Sequence, residues 1–293
     1  MSRLSLNIVR FGLIFLLATL VCWRLPRVAY SQSSIPALQI LATPHRIGLG
    51  TAVSFQALQA DRRYRETLGR KFGQITPENA IKFEAVHPAP DRYDFYRADT
   101  LLAFAEHQGM TVHGHTLVWH SQLPEWVKIE DRSREVAIAL LREHIQTVVR
   151  HYRGRLVAWD VVNEAIADDG TFRDTIWLRQ IGPDYIAMAF RWAHGADPSA
   201  RLFYNDYGGE GLGPKSDAIY RLVADLVEQG VPIQGVGLQM HVSLDSAPSP
   251  SAVAANMQRL AALGLEAQVT EMDVRLALPD SEADRQEQAA VFR

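Results

Sequence analysis

Apolar runs of strand length recur along this chain, and nearly every one ends in an amide, imidazole or carboxylate. They span 47–53, 72–79, 111–119, 156–165, 201–207, 233–242 and 266–274. Their polar ends are Glu78 and Asn79, His115 and Trp119, Asn163 and Glu164, Asn205 and Tyr207, Gln239 and His241, and Glu271 and Asp273. Between them lie amphipathic, helix-compatible stretches such as 97–109, 134–151, 215–229 and 251–263. Strict alternation of strand and crossover helix means a parallel sheet buried on both faces. Such a sheet is either open and doubly wound or closed into a barrel. The open form would carry a Gly-rich phosphate turn after its first strand, and "GLGTAV" lacks the third glycine. A barrel gathers the C-terminal ends of its strands at one mouth, which accounts for six sets of polar ends at once. The expectation is an α/β chain of the (β/α)8 TIM-barrel type. After residue 274 the sequence turns helical, so the barrel is read as incomplete, with seven recognisable strands.

Length and composition agree with that architecture. The 293 residues fit one barrel of about 250 residues with a short leader. The leader is residues 1–31: Arg3 and Arg10, a short apolar run through "FGLIFLLATLVCW", then small residues up to Ser31. This is the pattern of a secretory signal peptide, with an uncleaved anchor as the alternative, and it implies a secreted or extracytoplasmic location. Residues 32–293 are then the catalytic domain, read as C-terminally truncated. Removing the leader's four arginines takes the net charge from −3 to −7, which argues against a nucleic-acid partner. The single cysteine, Cys22, lies in the leader, leaving the remainder without disulfide or thiolate chemistry.

Glu164 and Glu271 close apolar strands in "VVNEA" and "VTEMDV". Either alone could equally be a solvated or salt-bridged carboxylate. A rigid pair facing across a barrel mouth suits glycoside hydrolysis, in which one carboxyl protonates the leaving oxygen while the other attacks or activates water. Their neighbours separate the roles. Asp273 follows Glu271 at strand spacing and His241 ends an adjacent run, a setting that keeps a nucleophile ionised. Glu164 follows an apolar run, a setting that can raise the pKa of a general acid. The motif "HGH" at 113–115, with His120 and His241, offers a metal-site reading that the order of later ligands disfavours, so no metal or other cofactor is expected. Of the tryptophans, Trp159, Trp177 and Trp192 read as core, whereas Trp119 ends its strand among polar groups.

The ordered motifs "HGHTLVWHSQLPEW", "WDVVNEA", "LFYNDY", "GVGLQMHV" and "VTEMDV" resemble those of glycoside hydrolase family 10, the retaining endo-β-1,4-xylanases. The resemblance runs from about Leu41 to the last residue. It implies that Glu164 is the acid/base and Glu271 the nucleophile, oriented by His241 and Asp273. It further implies substrate contacts from Glu78, Asn79 and Lys82 in "ENAIKFE", from His115, Trp119, Gln122 and Gln239, and from Asn163 to the sugar 2-hydroxyl. Asn205 and Tyr207 read as structural or aglycone-side. The implied partner is xylan or its oligosaccharides, with the protein acting as a monomer. His113, Phe83 and Gly208 stand where the family usually has Arg, Trp and Asn; they read as outer changes that tune affinity. A second reading is a xylan-binding remnant, inactive for want of the last strand, which normally covers the glycone sugar.

Overall fold

The computed structural model describes residues 38–45 and 47–292, all within one unit, Ala37–Arg293. The expected leader, 1–31, lies outside the described residues.

Among the described residues nine strands follow one another: β1 (Gly50–Val53), β2 (Gln74–Pro77), β3 (Thr111–Val118), β4 (Ala158–Asn163), β5 (Arg201–Asp206), β6 (Gly235–Leu238), β7 (His241–Ser243), β8 (Glu266–Val269) and β9 (Asp273–Arg275). Seven of them form a single parallel sheet in the order β1-β2-β3-β4-β5-β6-β8. Each neighbour is reached through a crossover helix, as the alternation of patterns requires. The helices Tyr96–Gln108, Arg134–His151, Pro214–Glu228 and Pro250–Ala262 fall within a residue of the stretches read from periodicity. Among the described residues β1 and β8 are the two edges of the sheet and no eighth strand joins them. The consequence shows in burial: β4 is buried throughout, whereas β8, with a partner on one side only, leaves Val269 44% exposed.

Two runs that read as single strands each split. The stretch 233–242 becomes β6 and β7, and 266–274 becomes β8 and β9; β7 and β9 pair with each other in a separate two-stranded sheet. The first break falls at Met240, whose φ of 62° lies in the left-handed region. Its N–H is donated to the buried carboxylate of Glu210, 2.9 Å away, which holds a conformation that costs about 1–3 kcal/mol in a non-glycine residue. The break turns His241 and Asp273 away from the sheet into register opposite each other.

The helix Arg134–His151 shows how local pattern becomes packing. Ser133 caps its first turn by accepting from the Val136 N–H. Ala137, Leu141, Ile145 and Val148 then form one buried stripe at three- and four-residue spacing. His144 belongs to the same stripe. Its ring lies 3.6 Å from that of Phe83, so Phe83 is a core residue and not the outer change expected from the motif. Gly208 adopts φ 65°, a left-handed position that an Asn takes less readily than a glycine.

Candidate active site

The barrel strands deliver the two glutamates as expected, but their backbones differ. β4 ends at Asn163, and Glu164 already has φ 57°, pinned by donating its N–H to the Asn205 carbonyl at 2.9 Å. Arg173 locks the next turn from outside: its Nε donates to the Glu164 carbonyl at 2.8 Å, and another nitrogen to the Ile166 carbonyl and the Tyr207 hydroxyl. The Glu164 side chain thus leaves the strand in a strained but over-determined conformation. It does not sit in apolar surroundings, as the preceding run suggested. Trp119 Nε1 donates to its Oε2 at 2.8 Å, while Gln239 Nε2 and Asn163 Nδ2 donate to Oε1 at 3.0 and 3.2 Å. The apolar side chains of β4 face the core; the carboxylate has turned past them into a ring of donors.

Glu271 is held on both oxygens. Asn205 Nδ2 donates to Oε1 at 2.8 Å, and His241 Nε2 lies 3.1 Å from Oε2. Burial alone would raise its pKa, but the His241 hydrogen bond, the nearby His115 and the Asn205 donor outweigh it and hold the carboxyl below its ordinary value. His241 places its other ring nitrogen 2.8 Å from Asp273 Oδ2. Two carboxylates on the two nitrogens require both to carry protons, so the ring is an imidazolium. The Glu271 hydrogen bond, against some desolvation and with help from Asp273, pushes its pKa up to about 9.

A ladder of amides joins the two carboxylates. Glu271 can only accept, so the Asn205 end facing it is Nδ2. That amide also donates to Asn163 Oδ1 at 2.9 Å, and its own Oδ1 accepts from the Thr270 hydroxyl at 2.8 Å. Asn163 Oδ1 takes a second bond from Gln239 at 3.2 Å, leaving Asn163 Nδ2 turned toward Glu164. Every amide in the row has one orientation. Gly237 is packed beneath it: a Cβ there would come 2.1 Å from Asn205 Oδ1.

The expected sugar ligands cluster beside Trp119. Lys82 Nζ lies 4.8 Å from the Trp119 ring and donates to Asn79 Oδ1 at 3.1 Å, which also accepts from Gln122 at 3.2 Å. Desolvation lowers the Lys82 pKa, opposed by Glu271, Glu78 and Glu164 among others. Glu78 is exposed on the same rim. Trp119 is itself fixed from below, since the buried Trp177 donates to its backbone carbonyl at 3.0 Å. Trp159 and Trp177 are core residues and Trp192 is half-buried against the same hydrophobic core.

His115 is nearly enclosed, with Nδ1 3.0 Å from Asp160 Oδ2 and 3.9 Å from Glu271 Oε1. His113 takes the other Asp160 oxygen at 2.9 Å. The two "HGH" rings therefore share one buried carboxylate under Glu271. Burial would raise the Asp160 pKa, but its two histidine partners drive it far below the carboxylate range.

The model of glycosyl hydrolase family 10 matches residues 37–293. The chain belongs to this family. It is 43% identical to endo-1,4-beta-xylanase B of Thermotoga neapolitana over 84% of its own length and 71% of the relative's. It is also 43% identical to endo-1,4-beta-xylanase 5 of Pyricularia oryzae over 78% of its length, but spans 58% of that protein. Among solved structures it resembles native xylanase 10B of Thermotoga maritima, with a TM-score of 0.83 and 44% identity over 87% of this chain and 79% of that one. The xylanase 10B of Thermotoga petrophila in complex with xylobiose superposes with a TM-score of 0.84 at 43% identity, over 88% and 79%.

Within this family-10 site the sequence reading missed Asp160, Arg173, Thr270 and the full part played by Asn205. Asp160 left a trace: a charge in an otherwise apolar strand needs a buried partner, and "HGH" one strand away supplies two. Asn205 and Thr270 left none, because each acts through a cross-strand neighbour. Asn205 is a register partner of Asn163. Tyr207 is anchored at the rim by Asp168 and Arg173, with the Lys215 ammonium 3.2 Å from its ring centre.

Proposed function

We propose that this family-10 glycoside hydrolase is a retaining endo-β-1,4-xylanase. The observation that carries the reading is the unequal treatment of the two carboxylates. Glu271 is kept ionised by an imidazolium and an amide, as a nucleophile must be. Glu164 stands half-buried on the far side of the amide ladder, hydrogen-bonded by the neutral side chains of Trp119, Gln239 and Asn163, and takes the acid/base part.

In the first step a Glu271 oxygen attacks the anomeric carbon while the glycosidic C–O bond breaks, and the Glu164 proton passes to the departing oxygen. In the second step Glu164, now a carboxylate, takes a proton from water. The water oxygen attacks the same carbon and Glu271 leaves, restoring both groups. Two inversions return the β configuration. Asn163 faces the position of the 2-hydroxyl, a contact that strengthens as the ring becomes oxocarbenium-like. Glu78, Asn79, Lys82, Trp119 and Gln122 bind the glycone, while Gln239 and His115 orient the carboxylates more than they line the wall. Xylan as substrate is supported by the relatives' names and by the xylobiose complex of the Thermotoga petrophila enzyme.

The test is xylo-oligosaccharide release from soluble xylan by the protein and by Glu271→Ala, with the anomer of the first product read by NMR. Release of the β-anomer, lost in the variant, is the expected result; no release from folded protein would sink the assignment in favour of a binding remnant. The pattern of residues 1–31 further supports export. N-terminal sequencing of secreted protein should begin at Gln32, and an intact Met1 on purely intracellular protein would refute it.

A further inference from the structure

The turn that carries Glu164 is closed from behind by buried polar groups that the two-step reaction does not use. Three successive N–H groups beyond β4 are taken by three successive residues of β5. That of Glu164 goes to the Asn205 carbonyl at 2.9 Å, that of Ala165 to the Tyr204 hydroxyl at 3.0 Å and that of Ile166 to Asp206 Oδ2 at 3.4 Å. Arg173 takes the carbonyls of Glu164 and Ile166 from the other side. The left-handed Glu164 is thereby gripped through the peptides on both sides of it, and a residue in that conformation relaxes unless distant groups hold it.

Asp206 is the hub of the grip. Its side chain is fully buried and four donors converge on it. The Tyr204 hydroxyl and the Ile166 N–H meet Oδ2, while the Tyr207 N–H, at 2.9 Å, and the Lys215 ammonium, at 3.2 Å, meet Oδ1. Four donors need both oxygens free of a proton. Burial raises the Asp206 pKa to about 6, with the Lys215 ammonium the chief opposing influence, so the carboxylate persists at neutral pH. Burial, then the Asp206 charge, raises the Tyr204 pKa well above its ordinary value, so that hydroxyl keeps its proton for Asp206 and a lone pair for Ala165. Lys215, itself buried, comes from the helix Pro214–Glu228 that follows β5. The turn is thus fastened to the neighbouring strand and, through one ion pair, to the next helix.

We propose that Asp206, acting through Tyr204 and the 164–166 turn, is a positioning residue for proton transfer by Glu164. It touches no substrate; it keeps the Glu164 carboxyl within reach of the glycosidic oxygen. The inference rests on the xylanase reading, and amide exchange tests the grip apart from turnover.

A carboxyl displaced by about 1 Å loses about a hundredfold in rate, but only where a proton must be given. A xylo-oligosaccharide leaves as an alkoxide and needs that proton, whereas dinitrophenolate leaves without it. Glu271 is held separately, by Asn205 and His241, so its attack is spared. Asp206→Asn keeps the shape, but the Lys215 ammonium claims the remaining oxygen and turns the amide nitrogen toward the Ile166 N–H, donor against donor. Tyr204→Phe, the milder change, removes the acceptor of Ala165 and leaves the ring in place.

The kcat/KM for xylotetraose should fall about a hundredfold in Asp206→Asn and about tenfold in Tyr204→Phe. For dinitrophenyl β-xylobioside it should change by less than about threefold in both. The Ala165 and Ile166 amides should exchange about tenfold faster, with β4 unchanged. Equal losses on the two substrates would overturn the proposal, since they mark a purely structural role, and so would unaltered kinetics in folded protein or unaltered exchange. If Asp206→Asn does not fold, Tyr204→Phe decides. If the wild type cleaves neither substrate, the xylanase reading falls, and the exchange result alone upholds or overturns Asp206 as the group that fastens the turn.

Discussion

Replacing Thr270 by Val removes the hydroxyl that orients the amide ladder while keeping the side chain's shape. Thr270 Oγ1 donates at 2.8 Å to Asn205 Oδ1, and Asn205 is fully buried. The variant strands that oxygen, at a cost of about 1–3 kcal/mol in stability. The amide cannot turn over to compensate, since an inverted Asn205 would aim its oxygen at Glu271 Oε1, now 2.8 Å from Nδ2. Nor can it shift toward β6, where Gly237 leaves no room. A loosened Asn205 weakens one of the bonds keeping Glu271 ionised. Hydrogen bonds to charged groups contribute about 1.5–3 kcal/mol, and one pKa unit corresponds to about 1.4 kcal/mol. The acid limb of kcat/KM should therefore move up by about one pH unit. The assay is kcat/KM on an aryl β-xylobioside across pH, with urea unfolding alongside and Thr270→Ser as control. The serine keeps the donor, so its acid limb should stay where the wild type's lies. A valine variant that loses stability but keeps the acid limb would refute the reasoning, because the ladder would then support the fold without acting on Glu271.

Three other perturbations probe the surroundings. His241→Gln removes the imidazolium beside Glu271, so the acid limb of kcat/KM should rise. The wild type's folding stability should include a component complete below pH 6.5 and lost as pH climbs through about 9, the raised pKa of His241; a variant with an identical stability–pH profile would refute this. Asp160→Asn removes the carboxylate shared by His113 and His115. Breaking such a buried pair should cost about 3–5 kcal/mol in denaturant unfolding, and a loss below about 1 kcal/mol would show that the histidines do not depend on it. Burial, and for His144 also the proximity of His87, lowers the pKa of both rings, whose Nδ1 atoms lie 3.3 Å apart. Their neutral forms suit the fold, so stability should hold above pH 6.5 and fall as pH drops from there toward the lowered values. His144→Phe should flatten that fall between pH 7.5 and 5.5 in urea midpoints, and an unchanged slope would place the acid sensitivity elsewhere.

Much of this was legible in the chain because it is local. Strand-length apolar runs separated by amphipathic stretches specify a parallel α/β sheet without reference to distant residues. A polar residue that ends such a run must lie at the mouth, so Glu164, Glu271, Asn163 and Gln239 could be placed before any contact was known. Tertiary structure decided what those residues meet. Strand register puts Asp160 opposite His115 and Asn205 opposite Asn163. Left-handed turns at Glu164 and Met240 aim the Glu164 carboxylate into a ring of donors and swing His241 out to face Asp273. Neither effect is written in a window of neighbours. Register is selected by which side chains fill the shared core, and a strained turn persists only where distant groups such as Arg173 and Glu210 hold it.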